Sequence, residues 1–175
     1  CVFNDVAIAA RAMQAEGKAN KVLVIDLDVH QGDGTAAIFA SDESVFTFSV
    51  HGEKNFPYRK VPSDLDIPLP DGCRDEVYLL AEQGGLEQAL GLFTPDLGIY
   101  IAGADPFVGD RLGRLSLTKA GLAQRDRLVI TACLQLGIPV AIVLGGGYAN
   151  LVEDTVAIHL ETIAIAAELL PELFG

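Results

Sequence analysis

Four short apolar runs punctuate the chain, at residues 22–25, 45–50, 97–102 and 140–144. Each is rich in β-branched residues and too short for a helix, so each reads as a buried strand of a parallel sheet. Helical periodicity fills the intervals. Residues 4–16 place Val6, Ala9, Ala10 and Met13 on one face, with Asn4 or Asp5 as cap and Gly17 as stop. Thr35 can cap a short helix running to Phe39. Residues 74–93 repeat the pattern through Val77, Leu80, Ala81, Leu86 and Leu90, and Gly84-Gly85 predicts a kink. Ser116 or Thr118 starts a helix that reaches Leu136 and is closed by Gly137 and Pro139. Asn150, with Glu153 three residues on, predicts the cap of a last helix to about Leu170. Leu65–Leu69 is a brief extended segment, stopped by Pro70-Asp71-Gly72. The alternation predicts an α/β fold of three layers, a mostly parallel sheet with helices on both faces. No repeat, linker or low-complexity tract divides residues 1–175, which read as one domain.

The interval 52–64, GEKNFPYRKVPSD, breaks the pattern. Loops of that length inside a domain are usually functional or disordered. Phe56 and Tyr58, around Pro57, either line a pocket or pin a surface loop.

Charge and cysteine content narrow the classes of function. With 24 acidic and 12 basic residues the formal net charge is −12. That disfavours direct nucleic-acid binding, which needs basic patches, and is compatible with a cationic peptide or amine as substrate. The cysteines, Cys1, Cys73 and Cys133, are widely spaced and without a C-x-x-C pair. They are expected to be reduced, in a cytoplasmic protein or, in a eukaryote, a nuclear one. No uncharged apolar run is long enough to span a bilayer, and no secretory signal is visible, so no membrane association is expected. The first residue is Cys1 rather than Met, so the chain is expected to be a fragment or a processed product.

The first strand carries the chemistry. Residues 21–34, KVLVIDLDVHQGDG, pass abruptly from an apolar run into Asp26, Asp28, His30 and Asp33. Alternation along a strand sends Asp26, Asp28 and His30 to one side. The carboxyl ends of parallel strands are also where α/β sheets take ligands. Carboxylates crowded there repel unless a cation compensates them. Carboxylate oxygen and imidazole nitrogen suit zinc, or less specifically iron or manganese. The plainer alternative is a polar strand end in which Asp28 caps backbone groups. A second acid, Asp105, follows the third strand, and Gly145-Gly146-Gly147-Tyr148 follows the fourth. All these strand ends open on one rim of a parallel sheet, so Asp28, His30 and Asp105 are predicted to meet. Three protein ligands with an open position is the layout of a catalytic metal site. Tyr148 on the same rim could donate to a developing oxyanion.

With these residues in order, the chain resembles the zinc-dependent histone deacetylase family and its arginase/deacetylase fold. IDLDVHQGDGT, FTFSVHG, GADP with GDRLG, and LGGGY carry the resemblance, with CVFNDVAIAAR ahead of them. DVHQGDGTA, KNFPYRK, SDLDIPL and PFVGDRLGRLSLT are most similar to the class IV branch and its bacterial relatives. The resemblance covers essentially the whole chain, as the C-terminal portion of a full domain. It implies zinc ligands at Asp28, His30 and Asp105, with Fe2+ as an alternative metal, and an oxyanion-stabilising role for Tyr148. Phe56 matches a wall of the acyl-lysine tunnel, and Leu112 an apolar pocket residue. Gly146 lies on the same glycine turn, and Cys1 matches the foot of the acetate pocket. Asp26 and Asp33 match carboxylates that orient a pair of neighbouring histidines. Asp26, Phe39, Val45 and Ser49 match positions that bind structural K+ or Na+.

The implied activity is hydrolysis of acetyl or other acyl groups from lysine side chains of histones or other proteins. Longer fatty acyl groups, or small acylated amines such as polyamines, are alternatives. The family's adjacent His-His pair is not among His30, His51 and His159. The chain alone is therefore expected to be inactive or impaired, and to oligomerise through an exposed truncated face. A non-catalytic remnant that binds metal or a partner is the alternative of another class. A two-manganese relative would need more Asp and His ligands than these strands carry.

Overall fold

The computed structural model describes residues 3–170; Cys1 lies outside the described residues. The elements run α1 (Asp5–Ala15), β1 (Val22–Asp26), α2 (Asp33–Phe39), β2 (Val45–Gly52), β3 (Leu65–Leu69), α3 (Asp75–Leu92), β4 (Leu97–Gly103), α4 (Lys119–Gln135), β5 (Val140–Gly145) and α5 (Val152–Leu169). The strands form one sheet in the order β3-β2-β1-β4-β5, and every pairing is parallel. β1 is central and fully buried. Its side chains alternate between two cores, as the period of two requires. Leu23 and Ile25 face α3 and α4, with Phe48, Tyr100, Leu86, Leu122 and Val129. Val22 and Val24 face α1 and α2, with Val6, Ala10 and Phe39. α5 packs on α4 through Ile130, Ile165 and Leu169. Among the described residues no helix is long and apolar enough to cross a membrane.

Several local expectations are met. Asn4 caps α1 by accepting from the Ala7 amide (2.8 Å), and Thr118 caps α4 by accepting from the Gly121 amide (3.0 Å). The extended segment Leu65–Leu69 is a fifth strand, paired with β2 from Phe48↔Leu65 to Gly52↔Leu69. Pro68 is tolerated there because β3 is an edge. The Gly84-Gly85 pair does not break α3. A Cβ on Gly85 would lie 2.3 Å from Ile67 Cδ1 and 2.8 Å from the Phe48 ring, so Gly85 lets the helix approach the sheet closely.

Three capping or strand predictions also shift. α2 begins at Asp33, and the buried Thr35 hydroxyl instead accepts from Asn4 Nδ2 (2.9 Å). Asn150 does not cap α5. Its side chain and amide both donate to the Gly109 carbonyl (3.2 and 3.1 Å), tying the glycine turn to the loop after β4. β1 ends at Asp26, so Asp28 and His30 sit on the bend beyond it rather than on the strand.

Candidate metal centre

β1 and β4 are neighbours, so the bends after them share one rim of the sheet. Asp28 stands two residues past β1 and Asp105 two past β4. Backbone amides aim the carboxylates. Val29 donates to Asp105 Oδ1 (2.8 Å), His30 to Asp28 Oδ1 (2.8 Å), and Asp28 to Asp26 Oδ1 (3.1 Å). The His30 ring turns inward, with Nδ1 2.9 Å from Asp28 Oδ1 and 3.1 Å from Asp105 Oδ2. One donor atom from each of Asp28, His30 and Asp105 falls within 4.8 Å of the others. Two glycines permit this crowding. A Cβ on Gly103 would lie 2.6 Å from the Asp28 Cα. At Gly146, whose φ is +59°, a Cβ would lie 2.3 Å from Asp105 Oδ2 and 2.7 Å from Asp28 Oδ2.

The clustered groups shift one another's charge. Burial pushes the Asp105 carboxyl above its ordinary range, and the Asp28 charge adds to this. Burial, then Asp28, pushes Asp26 well up. His30 is raised to about 10, by the adjacent Asp105 carboxylate first and by its hydrogen bond to Asp28 second. Asp105 Oδ2 is fully buried and receives no aligned hydrogen bond, although the imidazole lies within ion-pair distance. An acid pair, an orphaned carboxylate oxygen and a ring nitrogen, converging without a wall between them, fit a divalent ion.

The group forms the floor of a cavity of about 660 Å³, with Phe56, Leu112, Gly146 and Tyr148 on its walls and Lys54, Arg111 and Arg114 at its sides. The loop of residues 52–64 thus lines a pocket. It is not pinned by its aromatics: Phe56 and Tyr58 are exposed and meet edge to face, with centroids 6.0 Å apart. Buried polar residues hold it instead. Gln31 donates to the Val61 carbonyl (2.8 Å) and accepts from its amide (3.0 Å). Asn55 donates to the Leu112 carbonyl (2.9 Å). Asp110 gathers the opposite wall, accepting from the amides of Leu112, Gly113 and Tyr148 (2.8, 2.8 and 2.5 Å). None of these was singled out from the sequence. Asp110-x-x-Gly113 is the readable signal, a carboxylate folding back onto its own turn.

The remaining candidates do not line the cavity. Asp33 opens α2 and accepts from the Gly34 amide (2.9 Å), outside the cavity. Asp26 and Ser49 are register partners on β1 and β2, whereas Phe39 ends α2 and Val45 starts β2, so these four mark two separate places. His51 is buried, with Nδ1 2.9 Å from Ser49 Oγ, and burial lowers it to about 4. His159 lies under the glycine turn, with Nε2 3.4 Å from the Gly146 carbonyl.

Comparison with known proteins identifies the family. Residues 1–163 match the model of the histone deacetylase domain. An uncharacterised protein of Picosynechococcus is 54% identical over 159 residues, 91% of this chain and 53% of that protein. Histone deacetylase 15 of Arabidopsis thaliana is 33% identical over 162 residues, 85% of this chain and 29% of its own length. An acetylpolyamine aminohydrolase from Burkholderia pseudomallei superposes with a TM-score of 0.82 at 25% identity, over 97% of this chain and 51% of that one. The chain spans about half the length of the curated relative it matches at 54% identity. With the family's pattern running through residues 1–163 and its fold through nearly the whole chain, the protein belongs to the histone deacetylase domain family.

Proposed function

We propose that this chain is the metal-bearing part of a deacylase that hydrolyses the amide of an acylated lysine side chain on a protein or peptide. The observation that carries the reading is the convergence of Asp28, His30 and Asp105 on the floor of a cavity walled by Phe56, Leu112 and Tyr148. Those three residues would hold the ion, and an O, N, O set suits zinc, with Fe2+ as the alternative. When bound, the metal supplies Lewis acidity to the acyl carbonyl and to a water. Tyr148 donates its hydroxyl to the carbonyl oxygen as charge develops there. Phe56 and Leu112 flank the acyl-lysine stem and exclude water. Gly146 leaves room above the floor for the reacting amide. Asp26 and Ser49, with Phe39 and Val45 at the second place, are proposed sites for K+ or Na+.

Within this chain no imidazole is placed to serve as general base. His30 belongs to the ligand set, His51 is buried against Ser49, and His159 contacts the Gly146 carbonyl. The 175-residue chain alone is therefore expected to turn over acetyl-lysine about 10²- to 10⁴-fold more slowly than a complete family member.

The walls also weigh on the substrate. Lys54, Arg111 and Arg114 are the charged residues of the lining besides Asp28, His30 and Asp105. Arg114 is offset by Asp71 (3.2 Å), but Lys54 and Arg111 would repel the ammonium groups of an acylated polyamine, which favours an acyl-lysine in a neutral or acidic peptide. The test is turnover by the full-length protein, which has the setting of a cytoplasmic enzyme in this reading. Acetyl-lysine peptide, myristoyl-lysine peptide and acetylated polyamine are compared, with and without a chelator. Chelator-sensitive release of acyl groups from a lysine peptide supports the proposal. Metal uptake with no release from any of the three would mark a non-catalytic binding protein.

A further inference from the structure

One face of α4 is buried as a stripe of Gly121, Leu122, Arg125, Asp126, Val129, Ile130 and Cys133. Two charged residues sit in the middle of it, neither more than 1% exposed. An apolar pair there would commonly be as stable or more so, so stability alone does not explain them. Their hydrogen bonds do. Arg125 Nε and Nη2 both donate to Asp126 Oδ1 (2.9 and 2.7 Å). The Tyr100 hydroxyl donates to the same oxygen, and the Thr162 hydroxyl to Oδ2 (2.6 Å), so Asp126 is fixed from β4 and α5. That leaves Arg125 Nη1, which donates to the carbonyls of Leu27 (3.3 Å) and Gly103 (2.5 Å).

Those two carbonyls are where the metal-bearing bends begin. The Leu27 carbonyl belongs to the peptide that leads into Asp28, and Gly103 ends β4 two residues before Asp105. The rung before them is the Leu27 amide donating to the Ile101 carbonyl (3.1 Å). Beyond it two ties join the bends: the Val29 amide bonds Asp105 Oδ1 (2.8 Å), and Arg125 Nη1 bonds the backbone of both strands. Asp28 and Asp105 carry like charge and would be driven apart if their backbones could yield.

We propose that Arg125 is a positioning residue for the metal centre: anchored on Asp126, it ties the Leu27 and Gly103 carbonyls together and so sets the spacing of Asp28 and Asp105. This rests on the reading of Asp28, His30 and Asp105 as metal ligands. Lysine cannot substitute, because a single ammonium lacks the fork that serves Asp126 and the two carbonyls at once.

The test is zinc affinity of the chain, measured by competition with a chromophoric chelator, in the wild type, Arg125→Lys, and the double variant Arg125→Met/Asp126→Leu. The double variant removes both buried charges together, so no unpaired carboxylate is left to unfold the helix. Metal-free melting of each variant reports on the fold. Zinc Kd is expected to rise about 10- to 100-fold in both variants, the range seen when supports behind metal ligands are removed. The visible absorption of the cobalt-substituted chain is expected to change in Arg125→Lys, since the ligands no longer keep their spacing. Wild-type zinc affinity and an unchanged cobalt spectrum in a folded Arg125→Lys chain would overturn the positioning role. Failure of the wild-type chain to bind zinc would instead overturn the ligand reading beneath it.

Discussion

Glu82 lies in α3 with no exposed surface, and neither of its carboxylate oxygens is hydrogen-bonded. Burial pushes its carboxyl well above the ordinary value of 4.5, against the pull of Arg125. The folded chain therefore keeps the proton while the unfolded chain gives it up near 4.5. The stability this proton confers is complete below that value and is lost as pH rises toward the folded value. Glu82→Gln cannot ionise. Its melting temperature relative to wild type is expected to climb between pH 5 and pH 8, by about 2–4 °C for each kcal/mol involved. A difference that stays flat across that range would mean that Glu82 is charged in the fold. A second residue, Gly146, packs closely against the proposed metal ligands. In Gly146→Ala the new methyl would fall on Asp105 Oδ2 at a positive φ. Zinc affinity is expected to drop by roughly 10- to 100-fold in a chain that still folds, as chelator competition would read.

Among the elements, α3 offers a paired comparison. A Cβ at Gly84 meets nothing within 4 Å, whereas one at Gly85 runs into Ile67 and Phe48. Gly84→Ala is expected to stabilise the chain by about 0.5–1 kcal/mol through helix propensity and lost unfolded-state freedom. Gly85→Ala is expected to destabilise it by about 1–3 kcal/mol through overpacking. Urea titration of both separates these signs, and stabilisation by both would mean that α3 does not press on the sheet at Gly85. The sequence made the strands of this sheet legible wherever apolar runs were unbroken, as at residues 22–25 and 97–102. It marked β3 only as a brief extended segment, because Asp66 and Pro68 interrupt the pattern of an edge strand that needs only one buried face. The Gly pair read as a weakness because propensity is local, while the reason for Gly85 is a contact with β2 and β3. Arg125 and Asp126 were readable in principle. They occupy the buried positions of the α4 repeat, and charge at such positions signals a buried network.

At the scale of the whole molecule, the convergence of the candidate residues was legible and their supports were not. Asp28, His30, Asp105 and Tyr148 stand at strand ends, where a parallel sheet dictates convergence. Gln31, Asn55 and Asp110 act by bonding segments distant in sequence, and no local pattern records that. The outer surface carries a further consequence. β5 is an edge strand, and Leu144 on it is exposed. Val152, Val156, Leu160 and Ile163 form an exposed apolar stripe along α5. Bare sheet edges and apolar stripes of this kind promote association. The 175-residue chain is expected to self-associate at micromolar concentration in size-exclusion chromatography with light scattering. Val156→Glu/Leu160→Glu is expected to shift it toward monomer. A wild-type chain that stays monomeric at those concentrations would show the stripe to be tolerated as it is.

Titration of zinc into the metal-free chain, followed by calorimetry and by metal content after dialysis, bears most directly on the functional reading. One ion per chain is expected, with binding abolished in Asp105→Ala and in His30→Ala. Two ions per chain, or a single ion retained undiminished in both variants, would contradict a centre built from Asp28, His30 and Asp105.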